Sequence, residues 1–116
     1  MSKTDGDIGA AKSVAAVTLD DSPGLLVQTG DTLLYGIHII NTVAAISYLQ
    51  LFNKAALSDV TLGTTVPDIS LPLPVSGILD ADFTKPIKFD KGLCAFSTTT
   101  AGGAGAAITH GTIIYA

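Results

Sequence analysis

Hydrophobic and polar positions alternate with a period of two in a series of short segments, which is the pattern of β-strands. The most regular segment is ISLPLPV at 69–75, where aliphatic residues occupy every second position. Turn residues recur about every ten positions, a spacing that fits an all-β, single-domain β-sandwich or jelly roll of about eight short strands. We predict strands at 13–19, 25–28, 33–41, 46–53, 69–75, 78–83, 87–89, 93–99 and 110–115.

Pro72 and Pro74 predict that the segment 69–75 is an edge strand. Residues two apart in an extended chain point their N–H groups to the same side, so two prolines at this spacing remove consecutive donors from one edge. The aliphatic residues lie on the other parity, where their N–H groups remain available to a neighbouring strand. We therefore predict that Pro72 and Pro74 block the outer edge of a sheet.

The segment 33–41 is apolar on both of its predicted faces. The alternating sets are Leu33, Tyr35, Ile37 and Ile39 on one side and Leu34, Gly36, His38 and Ile40 on the other. Such a strand belongs in the middle of a sandwich, or in a sheet whose outer face is covered by another subunit. The short link to the next strand predicts a hairpin, with a helical turn at Ala44 and Ala45 as the alternative.

The composition supports the all-β prediction. Charged residues make up 14% of the chain, against about 25% in typical soluble domains. Every acidic residue is Asp and every basic residue is Lys, and the absence of the helix formers Glu and Arg argues against long surface helices. A length of 116 residues fits one domain. We predict a flexible N-terminal arm over 1–12, which contains few apolar residues, and a β-sandwich domain over 13–116.

Two long segments, 32–53 and 92–116, contain no Asp, Glu, Lys or Arg. The first is long enough to cross a bilayer, but polar residues interrupt it and no basic flank orients it, so we predict no membrane partner. A net charge of −4 without a basic cluster argues against nucleic acid. Because solubility normally depends on a charged surface, we favour coverage of these segments by other copies or a larger assembly. Buried strands with Ser/Thr-rich loops are the alternative.

Few residues suit catalysis or metal binding. The histidines, His38 and His110, belong to no recognisable motif, and a small hydrolase is the weakest of the functions considered. Cys94 lies in an apolar strand, which is typical of an inert buried thiol, and a single cysteine cannot form an internal disulfide. The closely spaced aspartates complete no calcium loop. We therefore predict no enzyme activity, no metal and no cofactor.

The glycine-rich stretch AGGAGAA at 101–107 lacks the Gly-Lys-Ser/Thr that completes a phosphate-binding loop. Its composition is typical of a flexible hairpin tip that can deform against a partner. Two glycines of this stretch, two prolines, both histidines and two tyrosines are the candidate interface residues. These are Pro72, Pro74, His38, Tyr35, Tyr48, Gly102, Gly103 and His110.

Three motifs resemble a small virion structural domain that recurs in tailed bacteriophages. They are NTVAAISYLQLFNKAA at 41–56, LGTTVPDISLPLPVSG at 62–77 and GLCAFSTT at 92–99. The resemblance does not extend to the N-terminal third, and it implies a β-sandwich that decorates heads or belongs to tail-associated structures, with no catalytic residues. The matching positions are Asn41, Thr42, Tyr48, Leu51, Phe52, Asn53, Lys54, Gly63, Thr64, Pro67, Pro74, Gly92 and Leu93.

The resemblance leads us to expect a phage capsid decoration or cement protein on the capsid surface of the virion, made in the host bacterial cytoplasm. Its expected partners are the major capsid protein and further copies of itself, in a homotrimer that closes as a ring. The alternative is a receptor- or carbohydrate-binding module of a tail or head fibre. That module would need a groove with convergent aromatic groups, for which Tyr35, Tyr48 and Tyr115 are the only tyrosines.

Overall fold

A computed structural model describes residues 12–42 and 44–116 of the protein, with side chains described from Thr18 onward. The predicted N-terminal arm lies outside the described residues except for Lys12, where the first strand begins. The described chain is nearly all β, which confirms the predicted fold class. A single 3-10 turn, Leu57–Asp59, accompanies the strands.

The eight strands follow the predicted segments closely. They are β1 (Lys12–Leu19), β2 (Leu25–Thr29), β3 (Thr32–Ile40), β4 (Ser47–Asn53), β5 (Ile69–Leu73), β6 (Ile78–Phe89), β7 (Gly92–Thr98) and β8 (Thr109–Tyr115). The predicted strands 78–83 and 87–89 form the single strand β6. Pro86 is tolerated inside β6 because it lies in the stretch 83–86, where the register shifts and no partner in β3 is paired, so its missing N–H breaks no ladder hydrogen bond.

The strands form two antiparallel sheets of four. Sheet A has the order β1-β8-β3-β6 and sheet B the order β2-β7-β4-β5. Most successive strands change sheet, and this order is that of an eight-stranded jelly roll built from two Greek keys. The predicted β-sandwich is therefore confirmed, with jelly-roll connectivity.

The inner faces of the two sheets form one hydrophobic core. Pairing in register brings buried residues opposite each other, as with Ile37 and Ile113 in sheet A and Leu51 and Ala95 in sheet B. The fully or almost fully buried members of the core are Leu19, Val27, Leu34, Ile37, Ile39, Leu49, Leu51, Leu73, Phe89, Leu93, Ala95 and Ile113.

Among the described strands β5 pairs with β4 alone, so it is an edge strand, as predicted. Pro72 is exposed and lies opposite Tyr48, while Leu71 and Leu73 face the core opposite Leu49 and Ser47. The predicted strand ends two residues early, because Pro74 begins a turn in which Gly77 N–H donates to the Pro74 carbonyl at 3.1 Å. Blocking of the outer edge therefore depends on Pro72.

Two predicted hairpins are wrong, because each pair of strands is divided between the sheets. The strands β3 and β4 lie in sheets A and B, so the link 41–46 crosses the end of the sandwich, and Ala44 and Ala45 form a bend rather than a helical turn. The strands β7 and β8 likewise lie in different sheets, so the glycine-rich link 99–108 is a second crossing and not a hairpin tip.

The two faces predicted for 33–41 are shifted by a bulge at Tyr35. Leu34 and Gly36 lie opposite the adjacent residues Tyr115 and Ile114 of β8, so Tyr35 is an extra residue in β3. Beyond the bulge Ile37 and Ile39 face the core, while His38 and Ile40 are exposed. The described chain therefore covers the inner face of β3 and leaves its outer face exposed.

Sheet B, in contrast, is covered on both faces by its own chain. Phe52, Cys94 and Phe96 lie on its outer face and form a second buried cluster beneath Leu57, Val60 and Leu62 of the connection 54–68. Phe52 and Phe96 meet edge to face, with ring centroids 5.5 Å apart. This arrangement explains why all seven residues of β7 are buried. The outer face of sheet A has no such cover among the described residues.

Candidate interaction surface

Four links between the sheets meet at one end of the sandwich, here called the loop end. They are the residues 20–24, 41–46, 74–77 and 99–108. Hydrogen bonds join neighbouring links and strands there: Ser97 N–H donates to the Asp20 carbonyl at 3.0 Å, and Asn41 N–H donates to the Gly77 carbonyl at 2.8 Å. The opposite end consists of 30–31, 54–68 and 90–91.

Charge is distributed unequally between the two ends. The links 41–46, 74–77 and 99–108 contain no Asp, Glu, Lys or Arg, and the remaining link of the loop end contributes only Asp20 and Asp21. Charged residues are concentrated in the links of the opposite end, which contain Asp31, Lys54, Asp59, Asp68, Asp90 and Lys91. The links inside the two charge-free segments, 41–46 and 99–108, therefore lie at the same end of the molecule.

The loop end also carries exposed aliphatic side chains. Five of the eight large hydrophobic side chains that are exposed among the described residues lie in its links or in the adjoining strand ends. They are Ile40, Ile46, Val75, Ile78 and Ile108, with exposed fractions of 37%, 43%, 54%, 56% and 52%. Exposed aliphatic groups that cluster on an uncharged surface are characteristic of an interaction site.

Asn41 holds two of these links in place. Its side chain is fully buried, and Nδ2 donates to the carbonyl oxygens of Ala45, Leu73 and Pro74 at 2.9, 3.3 and 3.0 Å. One amide thus joins the link 41–46 to the end of β5 and to the turn 74–77. A buried amide is costly unless it is hydrogen-bonded, so this network fixes the geometry from which Ile46 and Val75 project.

Gln50 holds the glycine-rich link against the outer face of sheet B. Its side chain is fully buried, and Nε2 donates to Thr98 Oγ1 at 2.7 Å and to the carbonyls of Thr100 and Gly103 at 3.1 and 3.0 Å. Ser70 Oγ adds a hydrogen bond to the Ala101 carbonyl. The link is therefore anchored at several points, although three of its ten residues are glycines.

A pocket of about 360 Å³ opens between the links 41–46 and 99–108. It is lined by Ala45, Ser47, Thr99, Ala106, Ala107 and Ile108. Ser47 is fully buried, and its hydroxyl has no hydrogen-bond partner among the described residues. Leaving a buried hydroxyl unpaired costs about 1–3 kcal/mol, so this group is the exceptional feature of an otherwise apolar pocket.

The outer face of sheet A adjoins the loop end and carries both histidines. His38 Nδ1 lies 3.4 Å from Asp80 Oδ1, with both side chains more than half exposed. His110 Nδ1 lies 3.3 Å from Thr18 Oγ1. Among the described residues no carboxylate lies within ion-pair distance of His110, so the Thr18–His110 pair lacks the orienting acid of a nucleophile–base–acid series.

The predicted interface residues occupy three separate regions. Pro74, Gly102 and Gly103 belong to the loop end, and His110 is close to it at the beginning of β8. His38 and Tyr35 lie on β3 of sheet A, whereas Tyr48 and Pro72 lie opposite each other on sheet B. The structure thus brings together only part of the predicted set.

The aliphatic residues of the loop end were missed by the sequence reasoning. Ile46, Val75 and Ile108 look like ordinary strand residues in an alternating pattern, and only the assignment of strand ends shows that they fall in links. The sequence feature that could have identified these three residues is the absence of charged residues around them. Asn41 belongs to one of the sequence motifs. Its role in joining two links could not be predicted, because it depends on contacts with residues 32 and 33 positions away.

Cys94 is fully buried, as predicted, and its thiol lies 3.5 Å from the Lys54 carbonyl. Burial raises the pKa of the Cys94 thiol, and the nearby Asp59 carboxylate raises it further. Both causes disfavour the reactive thiolate. The described part of the chain contains no group of three or more His, Cys, Asp or Glu placed to hold a metal ion, and it has no helix long and apolar enough to span a membrane.

Comparison of the chain with protein-family models, curated proteins and solved structures yields no significant match.

Proposed function

We propose that this chain is a non-enzymatic capsid decoration or cement protein of a tailed bacteriophage, and that it binds the lattice of major capsid protein through the loop end. The observation that carries the proposal is the clustering of exposed Ile46, Val75 and Ile108 on links without charge. Cores of protein interfaces are depleted of charged residues in the same way. A patch of this kind is therefore best explained as a surface that a protein partner covers.

The distribution of charge suits attachment by one end. Contact through the loop end would leave the opposite end, with Lys54, Asp59 and Lys91, in solvent. Each contact is small, but repetition over a closed lattice makes the total stabilisation large. The jelly roll itself occurs in viral capsid proteins and in lectins, so the fold is compatible with the proposal without selecting it.

The resemblance to phage virion domains supports the fold more directly than the binding surface. Asn41, one of the matching positions, joins two links through its amide. Gly92 is another: its φ is +150°, and a Cβ there would lie 2.6 Å from the Lys54 carbonyl oxygen and 2.8 Å from that of Gln28. Both motif residues are explained by the architecture, so the argument for attachment rests on the loop end.

We assign contacts between copies of the chain to the outer face of sheet A. This face is uncovered and carries Ile40, Ile78 and Ile114, each at least 37% exposed, beside the polar pair His38 and Asp80. A contact repeated around a three-fold axis would close into the expected homotrimer and bury the same strip in every copy. Light scattering over a concentration series measures the solution mass, and a strict monomer at all concentrations would contradict this assignment.

The attachment surface can be tested with a charge-insertion variant. We expect the double substitution Ile46→Lys with Ile108→Lys to abolish co-sedimentation with phage capsids assembled without this protein, because lysines in an apolar contact must be desolvated. Val66→Lys is the matched control, since Val66 is 82% exposed and lies in the connection 54–68 at the opposite end. Equal capsid binding by all three proteins, or loss of binding in the control alone, would refute attachment through the loop end.

The receptor- or carbohydrate-binding alternative gains less from the structure. Tyr48 lies on sheet B, while Tyr35 and Tyr115 lie on sheet A, so the three tyrosines do not converge on one groove. A glycan array probed with the wild-type protein tests this alternative. Specific glycan binding together with failure to bind capsids would favour it over decoration.

A further inference from the structure

The two histidines of the chain are exposed on the same face of sheet A but have different surroundings. We propose that His110 of one copy, when protonated, pairs with the Asp80 or Asp82 carboxylate of the next copy, so that contacts between copies strengthen as the pH falls from about 8 to about 5.5. The proposal rests on the assignment of these contacts to the outer face of sheet A. It is independent of attachment to the capsid through the loop end.

Strand pairing arranges the outer face of sheet A in rows that cross the sheet from β1 to β6. The row nearest the loop end consists of Thr18, His110, Ile40 and Ile78. The next two rows are Thr112, His38 and Asp80, and then Ile114, Gly36 and Asp82. The acidic residues therefore lie on the β6 side of the face, whereas His110 lies on the β8 side.

His38 already has an acidic partner in its own chain, and His110 does not have one among the described residues. His38 Nδ1 lies 3.4 Å from Asp80 Oδ1, so a proton on His38 is balanced within one copy. His110 Nδ1 instead lies 3.3 Å from the neutral Thr18 hydroxyl. The charge that His110 gains on protonation is therefore available to a carboxylate of a second copy.

The β8 side of the face has little other charge. The strand β8 contains no Asp, Glu, Lys or Arg, and the charged residues of β1 and of the link after it are Lys12, Asp20 and Asp21. Lys12 lies at the far end of β1, and the Asp20 carboxylate accepts a hydrogen bond within its own link, from Gly24 N–H at 3.0 Å. Protonation of His110 thus gives the β8 side a positive charge that complements the acidic β6 side.

Complementary sides on one face suit a contact that repeats from copy to copy. In a closed ring each copy presents its β8 side to one neighbour and its β6 side to the other. Imidazole changes its charge over this pH range, whereas aspartate generally stays ionised throughout it. The contact is therefore an ion pair at the lower pH and loses this attraction as the pH rises. We expect the dissociation constant to be about five- to tenfold lower at the lower pH.

Light scattering over a concentration series, at about pH 5.5 and about pH 8, measures the association of the wild type and of three variants. His110→Gln should lose the pH dependence. His38→Gln is the matched control, because it removes the same titratable charge from the same face and should keep the pH dependence. His110→Lys, which is charged at both pH values, should associate at the higher pH about as tightly as the wild type does at the lower one. Both positions are exposed, so the variants should fold.

The proposal is overturned if the copies associate equally at both pH values. An equal loss of pH dependence in His110→Gln and His38→Gln would also overturn it, because that result would indicate a general effect of net charge. A third contrary result is that His110→Lys associates no more tightly than the wild type at the higher pH. A monomer under every condition would overturn both this pairing and the assignment of sheet A, while capsid co-sedimentation would still test attachment through the loop end separately.

Discussion

Replacement of Gln50 by alanine tests how the loop end is held in its observed form. The Gln50 amide is the only side chain that reaches both Thr100 and Gly103 of the glycine-rich link among the hydrogen bonds of the described residues. We expect Gln50→Ala to leave the two sheets intact and to release this link. The effect should appear both in the free energy of unfolding and in the local protection of the link.

The expected loss of stability can be built from its parts. Two amide hydrogens give net hydrogen bonds worth about 1 kcal/mol each, and the buried methylene adds about 0.8 kcal/mol. Against this, Gln50 Oε1 is buried without a partner among the described residues, and its removal returns about 1 kcal/mol. The balance is a loss of about 2 kcal/mol. In a domain of this size, that loss corresponds to a fall in Tm of about 10 °C.

Urea unfolding measures the global effect, and hydrogen exchange measures the local one. The Thr99 amide donates to the Gly105 carbonyl at 3.3 Å within the link, so its exchange should accelerate more than that of the core amides. Ser70→Ala is the matched control, because it removes one partly exposed hydrogen bond to the same link and should cost less than about 1 kcal/mol. A loss below about 0.5 kcal/mol in Gln50→Ala, or one no larger than in the control, would refute the reasoning.

Three further predictions follow from the described contacts. Phe52→Ala should destabilise the protein by about 3–5 kcal/mol in urea unfolding, because it opens the small cluster beneath the connection 54–68. Cys94 should react with a thiol reagent at pH 8 far more slowly in the folded protein than in urea, because burial and a raised pKa keep its thiol protonated until a pH above the unfolded value. Pro72→Thr should increase aggregation in light scattering, since it restores a donor on the outer edge of β5.

Each of these has a control and an outcome that contradicts it. Val66→Ala removes an exposed side chain and should change the free energy of unfolding little. If Phe52→Ala changed the free energy of unfolding as little as Val66→Ala does, that result would argue against the second cluster. Equal reaction rates of Cys94 with and without urea would contradict its burial. Pro74→Thr lies outside β5, and an aggregation rate equal to that of Pro72→Thr would show that the sheet edge is not the cause.

The strands themselves could be predicted because alternation is a local property. The segments around β2, β4, β7 and β8 were placed to within about two residues, since an apolar residue at every second position has few other stable conformations. Pro72 likewise predicted an edge position, because a missing N–H has the same consequence in any sheet. Local chemistry alone supports both conclusions.

Pairing between strands could not be predicted in the same way. The link 41–46 reads as a hairpin connection because it is short, and the sequence has no local signal that β3 and β4 belong to different sheets. The bulge at Tyr35 is equally hidden, because it is defined by the register of β3 against β8, some eighty positions later in the chain. Each apolar set predicted for 33–41 therefore combines residues that lie on opposite faces of β3, such as Leu34 on the inner face and His38 on the outer face.

The candidate surface, too, could be predicted only in part from the sequence. Composition by itself determined that the chain is all-β, that its charge is sparse and that two long segments have none. Only the tertiary structure decided that three uncharged links meet at one end and that Asn41 and Gln50 hold them there. It also decided that the Ser47 hydroxyl is buried without a partner among the described residues. The physical reason is that composition and alternation are properties of neighbouring residues, whereas an interaction surface is created by packing residues that are distant in the chain.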